Sequence, residues 1–392
     1  MVRRSATPLR PRDARRDGTL HLVSSSATFT AGSPHAPAAS ATGLQRLLIA
    51  VPNWVGDVVM AGPVLAAIRR RLPEASVGLL LRDYVREILD GAGWNDIEHV
   101  WPRAAGLGSP GLGRLAQEIR GRRYDAVLLL TNSFRSAWLA RRTGIPRRIG
   151  YARDGRGWLL TDRLRPRAVD GEYVPTPILD YYAALAESLG CPVDDRRLRL
   201  TITSDQAAAG RALLGHYGIG DAPYAVINPG AAFGAAKCWL PTGFAAVCDR
   251  LHADYGWRSL IVGAPGEAGL MRSIASFARS GPTVCDNPGT TLGSLKFVIA
   301  NARALICNDT GPRHYGNAFS VPTVTIFGPT HQAWTDAAFP TERRLQAAVP
   351  CGPCQLKVCP FDHRCMSGVS ATDVLEALAD LLSASPSSGG GA

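Results

Sequence analysis

Short, continuously apolar runs alternate with amphipathic segments over most of the chain. Runs of four to five apolar residues are typical of parallel strands that are buried on both faces of a sheet. We predict strands at residues 47–51, 77–81, 126–130, 224–227, 259–262, 304–307 and 323–327. Between the runs, apolar residues recur with a helical period, and we predict helices at residues 64–72, 177–189, 243–255, 270–279 and 292–301.

This alternation predicts an α/β fold with βαβ units and parallel sheets. It is interrupted by a helical stretch at residues 169–200, so we place a domain boundary near residue 205. We expect two Rossmann-like domains, at residues 45–205 and 206–382, whose sheets face a central cleft. Ligands in such sheets bind beyond the carboxyl ends of the strands, so the loops there are where chemistry is expected.

The two ends of the chain have a different composition. Residues 1–44 are rich in Ser, Ala, Pro, Thr and Arg and show neither a helical nor a strand period. No apolar core follows the first arginines, which argues against a secretory signal. We predict that residues 1–44 and 383–392 are disordered tails.

Composition narrows the class of protein. The chain has 392 residues, of which 46% are hydrophobic, and this excludes a wholly disordered protein. No stretch approaches the roughly 18–20 consecutive apolar residues of a membrane-spanning helix. We therefore expect a protein that is soluble or that binds a membrane only at its surface.

The net charge of +11 favours an anionic partner, such as a nucleotide, a phosphorylated glycan or an acidic membrane leaflet. Only three of the 43 basic residues are lysine, and the arginines are scattered along the sequence. This skew indicates a coding bias rather than a nucleic-acid patch, and we expect no nucleic-acid partner.

Polar residues follow two strands of the first half. The segment PNWVGD (residues 52–57) follows the strand at 47–51, and its Asp57 suits either a helix N-cap or a base facing the cleft. The segment NSFR (residues 132–135) follows the strand at 126–130 and offers Asn132 and Arg135 to the cleft wall.

The loop at residues 228–241 contains Lys237 among glycines and alanines. Small residues let the backbone approach an anion closely, and Lys237 can place its charge on a phosphate oxygen. A long connecting loop with a solvated lysine is the alternative. Glu267, after the strand at 259–262, suits hydrogen bonds from ribose hydroxyls, or is a solvent-exposed acid.

The segment NDTGPRH (residues 308–314) follows the strand at 304–307. Pro312 is typical of a first helical turn, which puts Asp309, Thr310 and Gly311 at a helix N-terminus. Free N–H groups and the helix dipole there suit a diphosphate, and His314 lies one turn further on. An ordinary cap with a surface histidine is the alternative.

Taken together, these segments resemble the ADP-heptose:lipopolysaccharide heptosyltransferases, in particular the heptosyltransferase II type of glycosyltransferase family 9, which have the GT-B fold. The resemblance spans about residues 46–382. It rests on WVGD, NSF, PGAAFGAAKxW, NDTGxxH and FGPT, which occur in this order at residues 54–57, 132–134, 229–239, 308–314 and 327–330.

The resemblance implies an inverting transfer without a catalytic metal. Asp57 would be the base that deprotonates the acceptor hydroxyl, and Lys237 would bind the donor diphosphate. Donor phosphates and sugar would lie at Asp309, Thr310, Gly311 and His314, and the adenosine ribose at Glu267. The acceptor-side candidates are Asn53, Trp54, Asn132 and Arg135.

The resemblance also implies the substrates and the location. The donor would be ADP-heptose, and the acceptor would be the inner core of lipopolysaccharide, at the cytoplasmic face of the inner membrane. The sequence departs from the family pattern at Ala232, where relatives often carry an acid, and at Pro312 and Arg313, where they carry aliphatic residues. We expect Arg313 to add a cation near the donor site.

Four cysteines form a cluster near the carboxyl end: Cys351, Cys354, Cys359 and Cys365, with His363 nearby. Four thiolates on a short loop can hold a tetrahedral zinc with no open coordination position, so such a metal would be structural. Two disulfides, an iron–sulfur cluster and free thiols are the alternatives. We favour structural zinc in a reducing cytosol.

Three functions compete. The first is the heptosyltransferase. The second is another GT-B nucleotide-sugar transferase with a different donor or an acceptor other than lipopolysaccharide. The third is a basic metal-containing module that binds nucleic acid, against which the scattered arginines and the absence of a nucleic-acid motif count.

Overall fold

The computed structural model describes residues 43–103, 106–337 and 339–384. The predicted disordered tails lie outside these residues, apart from two residues at the inner end of each. At the carboxyl end, the last described helix continues to Ala384.

The first half of the chain forms a parallel six-stranded sheet in the order β3-β2-β1-β4-β5-β6. Its strands are β1 (Arg46–Ala50), β2 (Ser76–Leu81), β3 (Ile97–Val100), β4 (Ala126–Leu129), β5 (Arg147–Tyr151) and β6 (Asp162–Leu164). Its helices are α1 (Val55–Arg71), α2 (Arg86–Leu89), α3 (Pro110–Gly121), α4 (Phe134–Arg142) and α5 (Ile178–Ser188). A two-stranded hairpin, β7 (Ala168–Val169) and β8 (Glu172–Tyr173), follows β6.

The second half repeats this arrangement in the order β11-β10-β9-β12-β13-β14. Its strands are β9 (Tyr224–Asn228), β10 (Arg258–Val262), β11 (Thr283–Cys285), β12 (Ala304–Asn308), β13 (Thr323–Phe327) and β14 (Glu342–Gln346). Its helices are α6 (Ser204–His216), α7 (Pro241–Tyr255), α8 (Ala268–Phe277), α9 (Leu292–Ala300), α10 (Arg313–Ala318), α11 (Arg364–Ser367) and α12 (Ala371–Ala384). The α/β architecture with two parallel sheets is confirmed.

All seven predicted strands are present, and all seven are inner strands of the two six-stranded sheets. In these two sheets the pattern missed β3, β5, β6, β11 and β14, of which four are edge strands, and it also missed the hairpin strands β7 and β8. Edge strands are short and carry polar residues, such as the ERRLQ of β14, because one side of the strand has no neighbour to pack against. Their hydrophobic signal is correspondingly weak.

Helix α1 begins nine residues before the predicted helix. Pro63 falls inside it, whereas the sequence pattern indicates a helix start just after that residue. The helix is nevertheless formed, because the small and apolar residues on both sides of Pro63 are buried between the sheet and the second half.

Both sheets change winding direction at equivalent places, between β1 and β4 and between β9 and β12. In doubly wound sheets, a crevice for ligands opens at this point, outside the carboxyl ends of the two strands. Asp57 lies in the first turn of the helix that follows β1, and the loops after β9 and β12 carry Lys237 and Asp309. The topology therefore brings the predicted residues to the two crevices.

The two halves contact each other through helix ends. Helix α6 packs on α9 within the second half, whereas the Glu87 carboxylate of α2 accepts a hydrogen bond of 2.6 Å from the Gly293 N–H at the start of α9. The buried Lys296 ammonium of α9 donates to the carbonyls of Thr201 and Asp90, at 2.9 and 3.4 Å. Burial lowers the Lys296 pKa to about 8.

Within the described part of the chain, none of the helices is both long enough and apolar enough to cross a lipid bilayer.

Candidate functional site

Asp57 lies in the first turn of α1, where it is half-buried. The helix begins at Val55 with Trp54 in the cap position, and no side chain caps it, so the N-cap interpretation of Asp57 is wrong. Burial and the negative charge of Asp309 raise the Asp57 pKa to about 6, and Lys237 opposes this rise. Asp57 is therefore a stronger base than a solvated carboxylate, and it lies near two charged groups of the second half.

Two glycines let α1 approach the second half closely. A Cβ on Gly56 would lie 2.7 Å from the His314 imidazole, and a Cβ on Gly311 would lie 2.7 Å from the Cβ of Val55. Such distances are shorter than van der Waals contact, so any side chain here would force the segments apart. The glycines thus keep Asp57 beside the loop at residues 309–314.

Lys237 and Asp309 form a buried ion pair between the loops that follow β9 and β12. The Asp309 carboxylate also accepts hydrogen bonds from the Thr330 hydroxyl at 2.8 Å and from the Arg313 guanidinium at 3.0 Å. Burial alone would raise the Asp309 pKa, but the charges of Lys237 and Arg313 and the hydrogen bonds lower it to about 2. Asp309 is therefore ionised at every pH at which the protein is expected to work.

Arg313 has a different position from the one expected. Its guanidinium is fully buried and donates to both carboxylate oxygens of Glu342 on β14, at 2.9 and 3.2 Å. It also donates to the hydroxyl and the carbonyl of Thr335, in addition to Asp309. Arg313 is thus engaged by protein groups and holds the Asp309 loop against β13 and β14, so the expectation of an added donor-site cation is corrected.

His314 is buried in α10, and its Nδ1 has no hydrogen-bond partner among the described residues. Burial and the charge of Arg313 lower its pKa well below the ordinary value. The imidazole is therefore neutral at neutral pH, and the alternative of a surface histidine is wrong. Its edge packs against Gly56 at the start of α1.

The backbone between β12 and α10 leaves N–H groups available as hydrogen-bond donors. Pro312 is the cap residue of α10, so Asp309, Thr310 and Gly311 precede the helix as expected. In the part of the chain that the structure describes, the N–H groups of Thr310 and Gly311 donate to no protein acceptor, whereas those of Asp309 and Arg313 do. Two free N–H groups beside a lysine are suited to an anion.

Glu267 lies against the loop that leads to Lys237. Its carboxylate accepts a hydrogen bond of 2.8 Å from the Ala264 N–H and lies directly over the Cα of Gly230, where a Cβ would clash with it. The half-buried acid is therefore next to the predicted donor loop. Its proposed contact with ribose stays a prediction.

The acceptor-side candidates of the first half differ in whether their side chains are free to contact a ligand. Asn53 and Arg135 line a cavity of about 540 Å³ at the carboxyl ends of β1, β2 and β4, and Trp54 is exposed beside it. Asn132, by contrast, accepts hydrogen bonds from Arg156 at 3.2 Å and from the Tyr181 hydroxyl at 3.0 Å. These hydrogen bonds hold the Asn132 side chain within the protein, so it is not free to contact a ligand.

Arg156 is a residue that no sequence pattern singles out. It is fully buried and donates to the carbonyls of Thr131, Ser133 and Tyr151 as well as to Asn132. Burial lowers its pKa to about 10. It fixes the end of β4 and the start of α4, and thereby one wall of the cavity.

The four clustered cysteines are free thiols that line one small pocket. Within residues 43–103, 106–337 and 339–384, no three or more His, Cys, Asp or Glu side chains are grouped so as to hold a metal ion. The structural zinc therefore stays a prediction.

The cysteine loop packs on the Lys237 loop. The Ala236 N–H donates to the Lys357 carbonyl at 3.0 Å, and His363 Nε2 lies 2.8 Å from the Ala236 carbonyl. The loop between Cys351 and Cys365 therefore braces the residue next to Lys237.

Comparison with known proteins gives a consistent result. The profile of glycosyltransferase family 9 (heptosyltransferase) matches residues 112–364. Lipopolysaccharide heptosyltransferase 2 of Escherichia coli (strain K12) is 28% identical over 302 residues, which cover 74% of this chain and 84% of that protein.

Two solved structures have the same fold. The E. coli ADP-heptose lps heptosyltransferase II has a TM-score of 0.70 and 23% identity, covering 86% of this chain and 98% of its own. The E. coli heptosyltransferase WaaC with ADP has a TM-score of 0.64 and 18% identity, covering 86% of this chain and 99% of its own. The predicted GT-B architecture is confirmed.

Proposed function

The chain is a glycosyltransferase that belongs to family 9, the heptosyltransferases, and from this membership we propose that it transfers L-glycero-D-manno-heptose from ADP-heptose to the inner core of lipopolysaccharide. The E. coli K12 relative is a lipopolysaccharide heptosyltransferase, which supports the acceptor. The solved E. coli protein of similar fold is an ADP-heptose lps heptosyltransferase, which supports the donor. One observation carries the mechanism. Asp57 of the first half has a raised pKa and lies within the electrostatic reach of Lys237 and Asp309 of the second half.

On the donor side, the group that must be stabilised is the departing ADP. As the bond between the anomeric carbon and the phosphate oxygen breaks, its electron pair moves to the outer phosphate. We assign Lys237 and the free N–H groups of Thr310 and Gly311 to this developing charge. Preorganised donors in a water-poor site stabilise such charge strongly, and here they need no catalytic metal.

On the acceptor side, the group that must be activated is a sugar hydroxyl. The hydroxyl oxygen attacks the anomeric carbon from the face opposite the phosphate, and its proton passes to the Asp57 carboxylate. A new glycosidic bond forms with inversion, and ADP leaves. With a pKa of about 6, Asp57 is mostly ionised at neutral pH and yet more basic than an exposed aspartate.

The remaining assignments follow from this scheme. Residues 45–205 would bind the acceptor, and residues 206–382 would bind the nucleotide sugar, with Glu267 at the ribose and His314 beside the donor phosphates. We place the enzyme in the cytoplasm, at the cytoplasmic face of the inner membrane, where its net positive charge favours an anionic leaflet.

The test of this function is a donor panel with a heptose-bearing core acceptor, in which release of the nucleotide diphosphate is measured for ADP-heptose and for UDP and GDP sugars. We expect turnover with ADP-heptose only. Asp57→Asn should lower kcat by about 10²–10⁴-fold, the usual contribution of a positioned base. Glu74→Gln, at an exposed carboxylate beyond the far end of α1, should match the wild type.

Two outcomes would contradict the proposal. A preference for a uridine or guanosine sugar would remove the ADP-heptose assignment and favour another GT-B transferase. Full activity of Asp57→Asn would show that Asp57 is not the base, and it would leave the family membership intact.

A further inference from the structure

One buried tyrosine of the first half carries a hydroxyl that the protein itself does not use. Six tyrosines in the described part of the chain are buried. Five of them form a hydrogen bond through the hydroxyl: Tyr124 with His99, Tyr151 with the Tyr181 carbonyl, Tyr181 with Asn132, Tyr224 with the Val298 carbonyl and Tyr315 with the Leu292 carbonyl. The sixth, Tyr182, is only 2% exposed, and its hydroxyl has no hydrogen-bond partner among the described residues.

Tyr182 lies beside the predicted base. It belongs to α5, which packs along α1, the helix whose first turn carries Asp57. Helix α5 also contacts Gln332–Thr335 of the second half, so it borders the junction between the two halves. Burial and the negative charge of Asp57 raise the pKa of Tyr182 well above its ordinary value. The hydroxyl therefore keeps its proton at neutral pH and is available as a hydrogen-bond donor.

Both Tyr182 and Asp57 lack a protein partner at this place. Within the described residues, the Tyr182 hydroxyl is not one of the unpartnered side-chain atoms that are completely enclosed, so its oxygen still reaches open space. The Asp57 carboxylate accepts no hydrogen bond from these residues either. A half-buried acceptor and a nearly buried donor without partners cost free energy unless a ligand supplies the missing contacts. The pair therefore suits a group that both donates and accepts, which a sugar hydroxyl does.

We propose that Tyr182 is a catalytic residue that donates a hydrogen bond to the acceptor hydroxyl while that hydroxyl gives its proton to Asp57. The inference rests on the proposed glycosyl transfer and adds a second protein contact to its nucleophile. The proton of the sugar hydroxyl points to Asp57, and one lone pair accepts from Tyr182. The other lone pair is left to form the bond to the anomeric carbon, so the two contacts fix the direction of attack. Tyr182 keeps its own proton throughout.

A stability measurement distinguishes a functional hydroxyl from a structural one. Tyr182→Phe removes a hydroxyl that has no partner in the described part of the protein, so the urea midpoint of unfolding should not fall. The matched control is Tyr224→Phe, which removes a buried hydroxyl that donates to the Val298 carbonyl at 2.6 Å. The control should have a lower midpoint, because it leaves that carbonyl unsatisfied. An equal fall for both variants would assign the Tyr182 hydroxyl to the fold and overturn the proposal.

Steady-state kinetics test the contact with the acceptor. The assay measures ADP release from ADP-heptose with a heptose-bearing core oligosaccharide. We expect Tyr182→Phe to lower kcat/KM for the acceptor about 3- to 10-fold, the usual effect of losing one neutral hydrogen bond, with the KM for ADP-heptose unchanged. Tyr224→Phe should match the wild type. Wild-type acceptor kinetics in Tyr182→Phe would contradict the contact.

The pH profile shows which group receives the hydrogen bond. With the acceptor as partner, the fall of kcat/KM near pH 6, which we assign to Asp57, should lie at the same pH in Tyr182→Phe and in the wild type. A fall that begins at a higher pH in the variant would mean that the hydroxyl stabilises the Asp57 carboxylate instead, because losing a donor raises the pKa of a carboxyl group. That result would exclude the direct contact with the acceptor.

A binding measurement separates this inference from the proposed function. Calorimetric titration of the oligosaccharide without donor should give binding to Tyr182→Phe that is several-fold weaker than to the wild type and to Tyr224→Phe. If this loss occurs but no ADP-sugar is turned over, the acceptor contact stands and the proposed transfer fails. If heptose transfer proceeds and Tyr182→Phe keeps the wild-type kcat/KM and affinity for the acceptor, the contact is disproved and the transfer stands.

Discussion

The two walls of the cleft carry positive charge in opposite ways. In the second half, Lys237 and Arg313 each lie against a carboxylate, and Asp309 lies between them. In the first half, Arg82 and Arg135 lie against each other's charge with no acid between them among the described residues. Paired, buried charge defines a rigid framework, since removing either partner leaves the other stranded. An unpaired positive charge in an open cavity instead gains a favourable electrostatic interaction when an anionic ligand binds.

The same difference determines which hydrogen-bond donors are available to a ligand. The second half has Lys237, which is held by its ion pair with Asp309, and two backbone N–H groups that donate to no acceptor in the described part of the chain. In the first half, Asp57 lies near these charges, and its pKa is raised because burial and Asp309 both disfavour its charge. The same buried environment therefore lowers the pKa of one carboxylate, Asp309, and raises that of the other, Asp57, which suits the proposed role of Asp57 as a base.

The largest expected effect is on stability, and it comes from the paired, buried charges of the second half. Arg313→Met removes the buried guanidinium and leaves Glu342 and Asp309 without it. We expect the free energy of unfolding to fall by about 3–5 kcal/mol, as when one partner of a buried ion pair is removed. Urea denaturation at pH 7 measures this change.

The cavity supplies the control for this measurement. Arg135→Gln removes an arginine with no ionic partner among the described residues, and it should change the free energy of unfolding by no more than about 0.5 kcal/mol. Equal losses for Arg313→Met and Arg135→Gln would show that the two walls do not differ in the way inferred.

Lys237→Ala should have the next largest effect, on catalysis. The loss of one charged donor to the leaving phosphate should lower kcat by about 10²–10³-fold. The ADP-release assay measures it, with Lys357→Ala, which changes the exposed lysine of the cysteine loop, as the comparison. A loss confined to KM for the donor would mean that Lys237 binds the ground state and not the departing phosphate.

The two aspartates should affect the pH dependence of stability in opposite directions. Asp57 has a folded-state pKa of about 6, above its ordinary value, so its stabilising contribution is complete below pH 4 and is lost as the pH rises through 6. Asp309 has a lowered pKa of about 2, so its contribution is present above pH 4 and is lost as the pH falls toward 2.

Asp57→Asn should therefore stabilise the protein at pH 7, by about 2–3 kcal/mol, and should lose this advantage near pH 4. Urea unfolding at both pH values tests the sign. In the wild type, kcat/KM should fall below pH 6 as Asp57 is protonated. A variant that is destabilised at pH 7 would show that the Asp57 carboxylate is favourably placed and that its pKa is not raised.

The smallest expected effect concerns the cysteine loop. We predict one zinc per chain, held by Cys351, Cys354, Cys359 and Cys365, which elemental analysis of protein purified under reducing conditions would measure. Cys354→Ser should lower the zinc content and weaken donor binding several-fold, since the loop braces Ala236 next to Lys237. Cys191→Ser, at a buried cysteine outside the loop, should keep the zinc. Mass spectrometry that finds disulfides would exclude the metal.

How much the sequence predicts differs between the two walls. Lys237, Asp309 and Asp57 can be identified because small residues and acids directly follow buried strands, and the alternating topology places those loops at the crevices. The partners of Arg313 cannot be found in this way. Glu342 lies on an edge strand 29 residues later in a polar segment, and its contact with Arg313 is a tertiary fact that no local pattern contains.

The cavity is predictable only in part, for a related reason. Arg135 can be identified from its place after β4, but Arg82 lies in a sequence with many scattered arginines and has no local feature that distinguishes it. Asn132 is expected to face the acceptor, whereas Arg156 and the Tyr181 hydroxyl engage it. Sequence position indicates which loop a side chain occupies, and packing decides whether the side chain is free.

The repeated strand order has a consequence for protein engineering. Because each half is a complete doubly wound sheet with its own crevice, a chimera that keeps residues after about 205 and takes its first half from another family member should exchange acceptor preference while retaining the nucleotide. Such a graft must preserve the junction where Glu87 meets Gly293 and where Gly56 meets His314, since these contacts would align the proposed base of one parent with the proposed leaving-group site of the other. Grafts that ignore them would yield folded hybrids with two intact but misaligned halves.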